Sequence, residues 1–241
     1  MIISFVNQKG GVGKTTAAIN FASSLARKNN LVLLIDTDPQ GSAAKWHSIE
    51  GNKSFEILHQ PSALNLSEIA ILEESYDYVV VDAPPAICDI TTTILTASHV
   101  AVIPVSPSSL DLWSCKDTLK TIEAVQIQNP DLKVRFLINR KIPGTRVGRE
   151  VREALKEFRP DTLRTELCQR VAYIDAMKYG VSVMQFAPGS KAADEIEMLC
   201  DELISGNHER ADAAAEESDP IAELYREETE NILFRSFQSL I

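Results

Sequence analysis

Long apolar runs, paired cysteines and an excess of basic residues are all missing from this sequence of 241 residues. No stretch approaches the ~20 apolar residues that a membrane-spanning helix needs. The start has no charged segment followed by an apolar core, so we expect no signal peptide. The four cysteines form no Cys-x-x-Cys pair, which is typical of buried thiols in a reducing cytosol and disfavours a cysteine metal site. They are Cys88, Cys115, Cys168 and Cys200.

The net charge of −10 is distributed unevenly along the chain. Residues 205–241 carry nine acidic and three basic side chains, and residues 1–204 carry the remaining 25 and 21. An acidic total argues against wholesale coating of nucleic acid, although it leaves room for a local basic patch.

Strand and helix patterns alternate up to about residue 204, and we find no internal repeat. The strands are apolar runs rather than alternating ones, as in a sheet covered on both faces. Alternation of this kind predicts one α/β domain, a mostly parallel twisted sheet with helices on both faces. The predicted strands are Ile2–Asn7, Leu31–Asp36, Tyr78–Asp82, Val100–Val105 and Val134–Asn139. The predicted helices cover 15–28, 62–74, 109–127, 147–158 and 190–204.

The composition changes after residue 204. Residues 205–220 are rich in Gly, Asn, Ala, Glu, Ser and Asp, which indicates a solvated acidic linker. Apolar residues return in 221–241, which we expect to form an amphipathic C-terminal tail.

A glycine-rich segment follows the first predicted strand and precedes the first helix. Residues 8–16 read QKGGVGKTT, which matches a phosphate-binding loop in that strand–loop–helix context. Glycines let the main chain approach phosphate oxygens, and the N-terminal dipole of the helix adds to the attraction. We expect Lys14 to reach the β- and γ-phosphates and Thr15 to bind Mg²⁺. The predicted nucleotide contacts are Gly10, Gly11, Val12, Gly13, Lys14, Thr15 and Thr16.

Acidic residues end two further strands. Asp36 and Asp38 follow the second strand, and Asp82 ends the third. A lone acid at such a place is usually a helix cap or turn former, but buried acids opposite a phosphate loop need a cation or polar partners. An acid ending an apolar strand is the Walker B arrangement, in which the carboxylate orients Mg²⁺.

Three blocks together carry a family resemblance: QKGGVGKTT at 8–16, LIDTDPQG at 34–41 and YVVVDAPP at 78–85. In order and spacing they resemble the deviant Walker motifs of the ParA/MinD family of P-loop ATPases over residues 1–204. The small size and the run FLINRKIP at 136–143 are most similar to ParF and other short ParA proteins.

The resemblance implies a slow, partner-stimulated ATPase that uses ATP and Mg²⁺. Its ATP-bound form would be a homodimer with both nucleotides between the subunits. Lys9 would reach across to the partner's phosphates, Lys14 would bind those of its own subunit, and Asp38 would position the attacking water. Thr15, Asp36 and Asp82 would serve Mg²⁺. Asn139 matches the family's adenine-contacting asparagine, with an ordinary strand-end turn former as the alternative, and Pro188 lies in the segment that packs on the base.

The same resemblance implies non-specific binding to nucleoid DNA and a cargo adaptor or centromere-binding protein that stimulates hydrolysis. The protein would partition plasmid or chromosomal DNA, or position another cytoplasmic cargo. The candidate DNA contacts are Arg164, Arg170, Lys178 and Lys191, with Arg170 preferred, although each taken singly fits an ordinary solvated charge equally well. A second basic run consists of Arg146, Arg149 and Arg152.

Three other functions compete with this interpretation. A MinD-like division-site regulator would need a membrane-binding tail, but the acidic polar face of 221–241 should be repelled by anionic lipid, so we expect no stable membrane association. A small-molecule kinase or ligase shares the loop without requiring Lys9. An iron–sulfur reductase needs cysteines in glycine-bearing segments, a setting that Cys88 and Cys115 lack.

Overall fold

The computed structural model of the chain describes residues 1–49, 54–62, 65–86 and 88–205. Within those residues, seven parallel strands form one sheet. Its central strands are apolar, and every residue of the first and the fifth strand is buried. In chain order the strands are β1 Ile2–Phe5, β2 Val32–Asp36, β3 Glu56–His59, β4 Tyr78–Asp82, β5 Val100–Val105, β6 Lys133–Ile138 and β7 Asp161–Thr162.

The strand order is β3-β2-β4-β1-β5-β6-β7. The first strand therefore lies in the middle, between β4 and β5. The chain first builds one half of the sheet and then crosses β1 to build the other half. Such a switch point opens a crevice at the carboxyl ends of the strands. Asp36 and Asp82 are direct neighbours across β2 and β4, so both lie at this edge.

Helices cover both faces of the sheet. On one face, the Phe21 ring of the first helix packs edge-on against Phe5 of β1, with 5.7 Å between ring centroids. On the other face, buried side chains from the third to the sixth helix join one apolar cluster with the strands. The helices are α1 Lys14–Arg27, α2 Ser42–His47, α3 Leu66–Ser75, α4 Asp89–Ala97, α5 Ser109–Gln126, α6 Arg146–Leu155, α7 Val171–Lys178, α8 Val183–Phe186 and α9 Lys191–Ser205.

The structure confirms the predicted fold class. The strands at Tyr78–Asp82 and Val100–Val105 have the predicted bounds, and the other three predicted strands differ by one or two residues at an end. All five predicted helices are present, although α6 ends at Leu155 rather than at residue 158 and α3 begins at Leu66 rather than at residue 62. There an asparagine, Asn65, starts the helix with a capping box closed by Glu68.

Two strands and four helices were not predicted: β3, β7, α2, α4, α7 and α8. Strand β3 has only four residues, none fully buried, and β7 has two. Helix α4 contains four threonines, which have low helix propensity. Three of them, Thr92, Thr93 and Thr96, bond back to the carbonyl four residues earlier, which satisfies the hydroxyl without favouring the helix.

The described chain ends at Ser205, the last residue of α9. The linker at 205–220, apart from that residue, and the tail at 221–241 lie outside the described residues, so both domain assignments stay predictions. In the part of the chain that is described, no helix is both long and apolar enough to cross a membrane. Cys115 and Cys200 are buried as expected, whereas Cys88 and Cys168 are half-buried.

A buried asparagine joins the first helix to the short helix α8. The Asn20 side chain donates to the Thr16 carbonyl at 2.8 Å and accepts from the Val183 amide at 2.8 Å. We expect Asn20→Ala to lower the free energy of unfolding by about 2 kcal/mol, because the buried Val183 amide loses its acceptor. Urea unfolding followed by circular dichroism measures this.

The matched control is Asn30→Ala. Asn30 also donates to a backbone carbonyl, that of Leu25, but it leaves no buried amide without a partner when it is removed. We expect a cost well under 1 kcal/mol there. Equal costs for both variants would contradict the importance of the Asn20 bridge.

Candidate nucleotide-binding site

The segment between β1 and α1 forms a loop at the central edge of the sheet. Gly11 and Gly13 have φ angles of 79° and 88°, a region that other residues rarely adopt. A Cβ atom on Gly13 would lie 2.3 Å from the Asn139 amide nitrogen, so this position has no room for a side chain. Gly13 also caps α1 without a side-chain hydrogen bond. The first amides of the helix are thus left for a ligand.

Side chains hold three carbonyls of this loop. Lys14 Nζ donates to the Lys9 carbonyl at 3.3 Å. Asn139 Nδ2 donates to the Val12 carbonyl at 2.7 Å, and Arg140 Nη1 donates to the Gly11 carbonyl at 2.8 Å. The loop is therefore braced both from within and from the end of β6.

Lys14 is buried, with 6% of its surface exposed. Burial lowers the pKa of its ammonium group, while the charges of Asp82 and Asp38 act in the opposite direction. A phosphate chain bound beside the loop would add negative charge that favours the charged form of Lys14.

Asp82 is 1% exposed, and within the described structure neither of its carboxylate oxygens has a hydrogen bond of ordinary geometry. Burial raises the pKa of this carboxyl to about 7. The Thr15 hydroxyl and the Lys14 charge oppose the rise, and the Asp36 and Asp38 charges add to it. Mg²⁺ is usually bound by one or two protein side chains together with phosphate oxygens. The unsatisfied Asp82 carboxylate, beside the Thr15 hydroxyl, fits such a site. The described residues gather no cluster of three or more His, Cys, Asp or Glu side chains that would form a metal site without a nucleotide.

Asp36 is fully buried and its carboxylate accepts three backbone hydrogen bonds. Oδ2 accepts from the amides of Ala43 and Ala44 at 2.8 and 3.0 Å, at the start of α2. Oδ1 accepts from the amide of Asp38 at 3.2 Å. In the structure, Asp36 therefore binds the first amides of α2 and fixes the turn at Asp38. Its assignment to Mg²⁺ stays a prediction.

Asp38 is half-buried at the same edge. Its carbonyl accepts from the Gly41 amide at 2.8 Å and lies 3.1 Å from His59 Nε2, while its Oδ1 accepts from the Gln40 amide at 2.9 Å. These contacts hold the carboxylate as a fixed hydrogen-bond acceptor, suited to orienting a water molecule.

A cavity of about 560 Å³ connects the loop to the end of β6, within the size range of small-molecule sites. It brings together most of the predicted nucleotide residues. Val12 and Lys9 instead line a second hollow on the other side of the loop, and Pro188 is exposed and does not line the cavity. The predicted residues that do line it are Gly10, Gly11, Gly13, Lys14, Thr15, Thr16, Asp38, Asn139 and Arg170.

The far wall of this cavity, which includes the predicted DNA contact Arg170, was not predicted as part of the nucleotide site. The segment Leu167–Arg170 runs beside the end of β6, where the Lys141 amide donates to Leu167 and the Gln169 amide donates to Lys141. Helix α7 adds Tyr173, Ile174 and Met177 to the wall. Short segments of this kind give no clear periodic signal in a sequence, which is why the pattern missed them.

The basic residues differ sharply in their surroundings. Arg170 donates from Nε and Nη2 to Glu195 at 3.0 and 2.5 Å, and Glu195 is itself 6% exposed and accepts from the Tyr173 hydroxyl at 3.2 Å. Arg164, in contrast, has a side chain that is 94% exposed. Lys178 and Lys191 are exposed as well.

The second basic run is also divided. Arg152 is held by Glu166 at 2.8 Å and by the Leu163 carbonyl at 2.9 Å, so it acts within the fold. Arg146 pairs with Glu150 on the same helix and remains 83% exposed, and Arg149 is exposed too.

The fold and the loop geometry define a P-loop nucleotide-binding protein. A family model described as the CobQ/CobB/MinD/ParA nucleotide binding domain matches residues 3–183, and the chain belongs to that family.

Two curated relatives are similar over most of their length. Maintenance of carboxysome distribution protein A of Halothiobacillus neapolitanus is 33% identical over 207 residues, which cover 84% of this chain and 95% of that protein. The chromosome-partitioning ATPase Soj of Thermus thermophilus is 30% identical over 236 residues, with the same two coverages. Among solved structures, cobyrinic acid a,c-diamide synthase of Mycobacterium smegmatis with bound ADP and magnesium has a TM-score of 0.70 at 21% identity. The match covers 89% of this chain and 96% of that one.

These findings confirm the predicted family, the α/β P-loop fold and the ATPase class, and they agree with ATP and Mg²⁺ as cofactors. The roles of single residues, the dimer, DNA binding and the adaptor stay predictions.

The Asp82 carboxyl makes stability depend on pH. Its pKa is raised to about 7 in the folded chain from 3.8. The folded state therefore holds an extra proton between these values, and wild-type stability falls as the pH rises through this range. Asp82→Asn removes this loss. We expect the stability advantage of the variant to grow by about 2–3 kcal/mol between about pH 5 and pH 8.

Urea unfolding of the nucleotide-free protein in a chelating buffer measures this effect. The matched control is Asp131→Asn, because Asp131 is exposed. It should leave the pH profile unchanged. Parallel profiles for wild type and Asp82→Asn would show that the buried carboxyl does not titrate in this range.

Proposed function

We propose that the chain is a slow Mg²⁺-ATPase whose ATP-bound form is a dimer that binds DNA without sequence preference and positions a cytoplasmic cargo over the nucleoid. The observation that supports this most directly is the buried Asp82 carboxylate, without an ordinary hydrogen bond among the described residues, beside Lys14 and Thr15 at the phosphate loop. A Mg²⁺–nucleotide complex would supply both the cation and the anion that this arrangement calls for.

The protein's own part in the reaction is to position groups and to place charge. Lys14 and the amides from Gly11 to Thr16 would bind the phosphates, and Thr15 and Asp82 would hold Mg²⁺, with Asp36 fixing the neighbouring turn. When bound, Mg²⁺ neutralises charge on the phosphate oxygens. Asp38 would accept a hydrogen bond from the attacking water, because its backbone is fixed by Asp36 and its side chain lines the cavity.

The dimer is proposed from the position of Lys9. Lys9 lines the second hollow, with Gly10 and Gly11, rather than the cavity that holds Lys14. We propose that it reaches the phosphates of a partner subunit, where its charge would offset the repulsion between two anionic sites.

The DNA-binding face is proposed from exposure. Arg164 and Lys191 are exposed beside the two ends of α9. Glu202 accepts a hydrogen bond from the Arg164 amide at 2.7 Å and lies 3.9 Å from Arg164 Nε, yet the guanidinium group stays exposed. Arg170 stays a candidate, although its guanidinium would have to leave or share Glu195 to reach a phosphate. Exposed cations bind phosphates at little cost, so we propose Arg164 and Lys191 as the primary contacts.

The cargo is proposed from the relatives. One is named for carboxysome distribution and the other for chromosome partitioning. We propose that a cargo-bound adaptor, or a centromere-binding protein, stimulates hydrolysis and so releases this ATPase from DNA.

A small-molecule ligase is the second candidate, because the diamide synthase has the same fold. ATP turnover that depends on a small acceptor, rather than on DNA and a protein stimulator, would favour it. Binding of the protein to anionic vesicles through the tail at 221–241 would instead favour a MinD-like regulator.

The dimer model predicts opposite effects for two substitutions. Asp38→Ala should bind ATP and accumulate as a stable dimer with hydrolysis at least 10-fold slower, on the order expected when the water loses its acceptor. Lys9→Ala should stay monomeric with ATP. Light scattering of each variant with ATP, beside a phosphate-release assay, measures both effects.

The matched controls are Asp117→Ala and Lys120→Ala, which remove an exposed ion pair on α5. They should behave as wild type. A Lys9→Ala protein that dimerises with ATP, binds DNA and is stimulated normally would refute the dimer model.

The two basic faces can be separated by charge reversal. We expect the double variant Arg164→Glu with Lys191→Glu to weaken DNA binding. The slope of log affinity against log salt concentration should become shallower by roughly 1 for each phosphate that is no longer neutralised. Binding to a random-sequence duplex, titrated over salt concentration with ATP present, measures this. The double variant Arg146→Glu with Arg149→Glu is the comparison, and a larger effect there would move the DNA face to α6.

A further inference from the structure

Arg140 adopts a backbone conformation that is unusual for its residue type. Its φ angle is 56°, and among the described non-glycine residues only Asn29 shares a positive φ. Asparagine is enriched in this left-handed region, whereas arginine is not. The chain therefore accepts local strain at the residue that directly follows Asn139, the predicted nucleotide residue just after β6.

This conformation turns Arg140 toward the phosphate loop. Its Nη1 donates to the Gly11 carbonyl at 2.8 Å, and its amide donates to Asn139 Oδ1 at 2.9 Å. Asn139 in turn donates to the Val12 carbonyl at 2.7 Å. Two neighbouring residues thus hold two successive carbonyls of the loop, and Arg140 also supports the side chain that holds the second one.

A held carbonyl fixes the amide in the same peptide group. In a trans peptide the C=O and the following N–H point in opposite directions within one plane. The bond to the Gly11 carbonyl therefore sets the direction of the Val12 amide, and the bond to the Val12 carbonyl sets that of the Gly13 amide. Glycine at positions 11 and 13 would otherwise leave these peptide groups free to rotate.

We propose that Arg140 is a positioning residue that orders the phosphate loop before the nucleotide arrives. It acts through the Gly11–Val12 peptide group, and it reduces the conformational entropy that ATP binding would otherwise cost. The inference rests on the proposed nucleotide site. It adds to that site a residue outside the loop, selected by backbone strain and by its contact.

The test compares three substitutions at this position. Arg140→Gly and Arg140→Asn both suit a positive φ and remove the guanidinium group, so they should fold at least as stably as wild type. We expect each to raise the Kd and the KM for ATP about 10-fold while kcat at saturating ATP changes less than about twofold, because the loop reaches the same bound state. Arg140→Lys keeps a cationic donor and should recover part of the affinity.

Amide exchange followed by NMR supplies a readout that does not depend on turnover. Without nucleotide, the amides of Val12 and Gly13 should exchange faster in Arg140→Gly than in wild type, whereas those in the centre of α1 should be unchanged. Arg159→Ala is the matched control, since Arg159 is exposed and lies near Lys133 at the amino end of β6, opposite the edge of the sheet that carries the loop.

Two results overturn the inference. The first is an unchanged Kd for ATP in both Arg140→Gly and Arg140→Asn. The second is a fall in kcat with an unchanged KM, which would indicate that Arg140 acts in catalysis instead. Failure of the proposed nucleotide site would look different. In that case wild type itself would not bind ATP, or Lys14→Ala would bind it with wild-type affinity.

Discussion

A carboxylate buried without an ordinary hydrogen bond among the described residues, close to a buried ammonium group, is the constraint around which this site is built. Asp82 ends the strand beside β1, and Lys14 begins the helix that follows β1. Leaving such a carboxylate unsatisfied is costly, and burial raises the pKa of Asp82, which favours the form that carries a proton. A bound cation would replace that proton, so folding and ligand binding act on the same group.

Order in the phosphate loop comes largely from outside it. Glycines make the loop able to approach phosphates but also leave it poorly defined. Side-chain donors just after β6 bind carbonyls of the loop. The turn at Asp38 is held by Asp36, at the end of β2, and by His59, at the end of β3. Because β2 and β6 lie on opposite sides of β1, both halves of the sheet contribute to one crevice. The topology therefore explains why the site needs the whole domain.

Sequence patterns predicted the parts of the molecule that rest on long apolar runs or on glycine-rich spacing. The five strong strands, the loop at 8–16 and the acids at strand ends were identifiable because burial and close approach leave such signals. The wall formed by Leu167–Arg170 and α7 was not, since short segments paired at a strand end have no period. Arg140 was also missed, because nothing in a sequence marks an arginine with a positive φ, although its place directly after Asn139 offered a hint.

The basic side chains show most clearly what sequence patterns cannot predict. Arg164 and Arg170 are six positions apart and equal in formal charge, yet one is almost fully exposed and the other is bound by a buried glutamate. Glu195 lies 25 residues further along the chain, so only the packing of α9 against α7 decides which arginine is committed to the fold. When an arginine that neutralises a buried carboxylate moves to a phosphate, it leaves the carboxylate buried without a counter-charge, which costs free energy. The free energy of the proposed DNA binding should therefore come from the cations that the core does not use.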